Sequence, residues 1–130
     1  MAREETALPH VLRIEHRGAF LHAVVEGDNT PEDVRQYLSE VREACLARGC
    51  ERVFIEENLR GPSLGTVDIF TIAAGGGRNA DGAISMIAYM DVNPEHAPQD
   101  MAFAENVAVN RGLNVRMFAD RREAQEWLLA

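Results

Sequence analysis

The chain has 130 residues, with 21 acidic and 13 basic side chains and a net charge of −8. All 13 basic residues are arginine, which excludes a Walker phosphate loop and Schiff-base chemistry, both of which need a lysine amine. The missing lysine also disfavours a receiver-type acidic pocket, and a pI near 4.9 argues against the phosphate neutralisation that general nucleic-acid binding requires.

This length suits one domain that buries about two-thirds of its unfolded surface. Residues 1–10 read as a flexible arm, and residues 11–130 as a single domain. The polar start, Met1 to Thr6, lacks the apolar run of a signal peptide, and no run reaches the ~20 residues of a membrane span. The expected location is cytoplasmic.

Val11 to Glu26 reads as two strands folded at Gly18. A helix then starts at Thr30-Pro31: threonine can cap, proline suits the first turn, and Glu32 and Asp33 favour the positive end of the dipole. Val34, Tyr37, Leu38, Val41 and Cys45 lie on its apolar face, and Gly49 stops it. Arg52 to Glu56 is the third strand. After a turn-rich stretch from Leu59 to Gly65, residues 66–74 are β-branched enough for a strand, but their place between two parallel strands calls for a crossover helix. A strand over Ala83–Met90, a helix over Gln99–Arg111, a strand over Asn114–Phe118 and a helix opened by Asp120 complete the chain. The expected fold is α/β: a mixed, mostly parallel sheet of about five strands with four helices, in the order ββαβαβαβα.

Several groups could carry chemistry. Ser63 and Thr66 stand where a helix N-terminus should begin, which suits phosphorylation, anion binding or simple capping. Glu56, Glu57 and Asp91 fall at the C-terminal ends of neighbouring strands, where α/β folds bind ligands, but their spacing completes no acidic pocket and a solvated loop is expected. His10, His16, His22 and His96 have no zinc spacing and read as surface or rim residues. Gly61-Pro62-Ser63-Leu64-Gly65 has the bare letters of a nucleophile elbow, but proline before the serine and no evident aspartate–histidine pattern argue against a hydrolase. The glycines at 75–77 follow a helix instead of opening one, so they read as a connector and not a phosphate cradle. Cys45 and Cys50 match no zinc or redox pattern and are expected to be reduced, partly buried thiols.

The 66–74 helix is apolar nearly all round. Val67, Phe70 and Ala74 share one side, with Ile69 and Ile72 largely opposite. Such a helix is buried on two sides, or else offers Val67, Ile69, Phe70 and Ile72 to a partner or ligand.

Three segments resemble the STAS fold, and within it the SpoIIAA-like family of small bacterial proteins. They are Arg52-Val-Phe-Ile-Glu with Leu59-Arg-Gly, Met86 to Asp91 leading to Phe103–Gly112, and Val115 to Leu128. The resemblance implies a non-enzymatic regulatory or binding module without a cofactor or metal. It acts through the loop and helix around residues 61–77 on a protein partner or a second copy of itself, a homodimer. STAS antagonists are switched by phosphorylation of a serine after the third strand, where Ser63 stands here, although Arg60-Gly-Pro-Ser-Leu-Gly replaces the usual Asp-Ser-Ser-Gly. The resemblance also implies an alternative, a hydrophobic or lipid-like small ligand bound beneath a mobile second helix. The acidic net charge opposes attraction to anionic lipid, so any membrane association is expected to be weak. An esterase-like use of Ser63 is the third reading.

Overall fold

Gly18, at φ 66°, opens a two-residue turn that an L side chain would strain. It folds strand β1 (His10–Arg17) back on β2 (Phe20–Asp28), with Arg17 opposite Phe20 and His10 opposite Gly27. The computed structural model describes residues 10–65, 67–69, 71–72 and 83–130. Thr66, Phe70, the glycines at 75–77 and residues 1–9 of the expected arm lie outside them. His10 belongs to β1 and not to an arm, and its ring bonds Glu40 at 2.8 Å.

Helix α1 (Pro31–Arg48) begins and ends as its sequence dictates. Thr30 Oγ1 accepts the Asp33 amide at 3.1 Å, and Gly49 closes the helix in the left-handed region at φ 61°. Strand β3 (Arg52–Arg60) pairs parallel with β2, and β4 (Met86–Asp91) pairs parallel with β3. Residues 67–69 and 71–72 are helical and form α2, in agreement with the crossover argument. After β4 come α3 (Pro98–Asn110), the short β5 (Val115–Met117) parallel to β4, and α4 (Arg121–Leu129), capped by Asp120 on the Arg122 and Glu123 amides.

The sheet order β1-β2-β3-β4-β5 follows the chain. Parallel crossovers are right-handed, so successive crossovers running in one direction across a sheet put their helices on one face. That places α1, α2 and α3 together and leaves the opposite face to α4. The two cores agree. Leu21, Val25, Val53 and Ile55 pack with Val34, Tyr37 and Val41 of α1, whereas Phe20, Phe54, Ala88 and Met90 pack with Ala124 and Leu128 of α4.

Strand β3 continues four residues past the expected end at Glu56, so Glu56 and Glu57 are strand residues with opposite orientations and not part of a solvated loop. Strand β4 begins at Met86 and not at Ala83.

Candidate functional site

Residues Ile55, Glu57 and Leu59 of β3 alternate onto the face that carries three helices, and Glu57 sits beside Asp91 in the parallel register. Here the sheet's C-terminal edge, α1, α2 and α3 line a half-open cavity of ≈ 150 Å³. Its wall is apolar: Leu38 of α1, Ile55 and Ile87 of the sheet, Ile69 and Ile72 of α2, and Met101 of α3. One part is polar, where Glu57, Tyr89, Asp91 and His96 come together; Asn29, Ser63 and Asp100 are further polar residues of the lining.

Glu57 is 3% exposed and accepts a hydrogen bond from the Tyr37 hydroxyl, which lies 3.2 Å from the Tyr89 hydroxyl. Burial raises the Glu57 pKa to about 7; the two tyrosine hydroxyls and His96 oppose that rise, while the charge of Asp91 adds to it. Both phenols titrate well above their ordinary value, first because they are buried and then because of Glu57. Near neutral pH this carboxyl therefore exchanges a proton inside an apolar wall.

Asp91 accepts from His96 Nδ1 at 2.6 Å and from the Asn93 amide at 2.9 Å. The other ring nitrogen of His96 lies 2.8 Å from the Gly61 carbonyl. Burial lowers the His96 pKa, but the bonds to Asp91 and Gly61 together with the charges of Asp91 and Glu57 raise it overall. With acceptors at both nitrogens, the ring donates twice, as an imidazolium. Asn29 donates to the Pro62 carbonyl at 2.9 Å from one side and His96 meets that of Gly61 from the other, so the start of the 61–65 loop is pinned from two sides, while Asn93 donates to Leu59 at 2.7 Å at the end of β3.

The expected site residues separate in this arrangement. Ser63, half-buried, lines the cavity; Gly65 accepts the Ile69 amide, so Ser63 stands two residues before the one that opens the helical bonding. Ile69 is buried and Ile72 packs partly buried against the core, both toward the cavity, whereas Val67 is 77% exposed on the outside. Ser63, His96 and Asp91 do surround one cavity. The His96 ring, however, is committed to Asp91 and Gly61, which leaves no lone pair to take a serine proton.

His16 is exposed, as expected of a surface residue, whereas His96 and His22 depart from that reading. The His96 side chain is 3% exposed. His22 is buried on the α4 face, stacked on Phe54 and bonded to Glu56 at 2.8 Å. Arg121 grips Glu56 through both oxygens at 2.6 and 2.9 Å, and this bond chiefly holds the Glu56 pKa below the ordinary carboxylate value, against burial and with help from His22. Cys45 and Cys50 are buried free thiols, and burial raises the Cys45 pKa to about 11. Among the described residues no group of three metal-type ligands forms, and no helix is long and apolar enough to cross a membrane.

No protein-family model matches the chain, and no curated protein matches it. Solved structures do. An anti-sigma factor antagonist from Mycobacterium paratuberculosis superposes with a TM-score of 0.61 over 93% of this chain and 95% of its own, at 12% identity. A DUF3478-family protein with a SpoIIAA-like fold from Shewanella loihica PV-4 superposes with a TM-score of 0.53 over 98% of each chain, at 23% identity. The fold is therefore SpoIIAA-like, and at these identities the likeness extends to the fold alone.

Proposed function

We propose that this protein is a non-enzymatic binding module that holds a small, largely apolar ligand in the cavity beneath α2. The observation that carries this reading is the cavity itself, ≈ 150 Å³ with an apolar wall and a polar part. A space of that size within apolar walls accommodates a molecule of about six heavy atoms, and convergent polar groups in an apolar pocket are the usual mark of a ligand site. The inward direction of Ile69 and Ile72 supports a ligand under the helix over a partner on top of it.

The test is thermal stabilisation by a neutral apolar probe, 1-hexanol, on the full chain. Ligand at about 100 times its dissociation constant should add about 2.7 kcal/mol of stability, a rise of several degrees in Tm. Ala104→Phe, which fills the cavity from α3, should abolish the rise. No rise in the wild type, or an equal rise in the variant, contradicts the proposal.

A protein partner or self-association is the second reading. Val67 at 77% exposure and the likeness to an anti-sigma factor antagonist favour it. Under that reading, Val67→Asp should weaken a complex or dimer seen by light scattering while leaving hexanol binding intact.

A further inference from the structure

Given the proposed ligand cavity, we propose that its occupant is an apolar amine whose ammonium group pairs with the Glu57 carboxylate while its hydrocarbon lies along Ile55, Ile69 and Ile72. The cavity's charged lining selects for this head group. Glu57, Asp91 and Asp100 supply three carboxyl groups from β3, β4 and α3, and His96 is the one cation among the described lining residues. That imidazolium is already held by Asp91 at 2.6 Å and by the Gly61 carbonyl at 2.8 Å, so it has no donor left for an incoming anion. A ligand carboxylate would thus lie beside Glu57 and Asp91 with no free cation among the described lining residues to pair with, and burying it so is costly. An ammonium meets the opposite situation. Glu57 is 97% buried, which follows from its 3% exposure, and an ammonium paired with it offsets the cost of leaving that buried carboxylate uncompensated.

The groups facing Glu57 are Tyr37 from α1, Tyr89 and Asp91 from β4, and His96 from the loop that follows. Their balance leaves Glu57 half-protonated at about pH 7. Binding below that pH therefore expels a proton: the ammonium and the neutral Glu57 carboxyl give an ion pair, and the carboxyl proton passes to bulk water. Above it the carboxylate is already formed and no proton leaves. His96 shifts the same way, since loss of its charge at higher pH removes a repulsion on the ammonium.

Titration calorimetry of the full chain with hexylamine, 1-hexanol and hexanoate, at about pH 6 and about pH 8 in buffers of different ionisation enthalpy, tests the inference. At the higher pH hexylamine should bind about tenfold or more tightly than hexanol, with hexanoate weakest. At the lower pH its affinity should fall about tenfold, with close to one proton released per ligand. Glu57→Gln should remove both the proton release and the tenfold preference for hexylamine over hexanol. Hexanoate binding as tightly as hexylamine, or a preference that survives Glu57→Gln, overturns the inference while the proposed cavity function stands. Failure of all three probes overturns both. Should Glu57→Gln fail to fold, the wild-type proton release decides: its absence at the lower pH contradicts the ion pair.

Discussion

Glu57 couples the cavity to pH. The folded state keeps its proton up to about pH 7, whereas the unfolded chain releases it near 4.5. Between those values the native state binds more protons, so this residue stabilises the fold at acid pH and loses that contribution as pH rises through the window. His96, also raised, acts in the same direction: its contribution is complete below 6.5 and is lost as pH climbs through its folded value. Glu56, lowered by Arg121, does the reverse, and its contribution disappears as pH falls below 4.5. Maximum stability is therefore expected at about pH 4.5 to 5. Urea unfolding of the wild type should show stability falling from about pH 5 to about pH 8, and in Glu57→Gln that fall should shrink by up to roughly 3 kcal/mol. An unchanged slope would mean that Glu57 titrates normally. At this scale much was legible but misread. Ile55, Glu57 and Leu59 alternate as one face of a strand, and Tyr37 within an apolar helix stripe requires a partner for its hydroxyl. Ending β3 at Glu56 concealed both, because the pairing that extends the strand to Arg60 is with β2, distant in sequence.

Among the elements, the end of β3 and the start of the 61–65 loop are held by side chains from elsewhere. Asn29 follows β2, while Asn93 and His96 follow β4, and together they hold the carbonyls of Leu59, Gly61 and Pro62. Removing one such bond at an exposed site should cost about 1 kcal/mol. Asn29→Ala should accordingly raise amide exchange in residues 63–69 by about fivefold while α1 and β2 stay protected; uniform exchange across the chain would show that the loop needs no such pin. The helical state of α2 was legible from topology, since a parallel strand pair needs a crossover, and not from the β-branched composition of its residues. Which side of α2 faces inward was beyond the sequence, because both sides are apolar and only the packed sheet distinguishes Ile69 from Val67. The capping residues of α1 and α4, by contrast, act locally, and Thr30 and Asp120 behave as their sequence context dictates.

For the molecule as a whole, one topological fact produces the site. Four parallel strands in chain order put three crossover helices on one face, and where they converge over the C-terminal edge of β3 and β4 they leave a space that the side chains do not fill. Element order was readable from periodicity and helix signals, and it led to the SpoIIAA-like fold that the solved structures bear out. The cavity was not readable, because it is a residue of packing among side chains from α1, α2, α3 and the sheet.

The central claim is that a small apolar molecule occupies this cavity. The most direct measurement is a methyl NMR titration of the isoleucine-labelled chain with 1-hexanol, with ligand-to-protein Overhauser contacts. Shifts and contacts at Ile55, Ile69, Ile72 and Ile87, which line the cavity, with Ile14 and Ile84 unmoved, are the predicted result. Shifts spread evenly over all six methyl groups, or none at saturating hexanol, would contradict it.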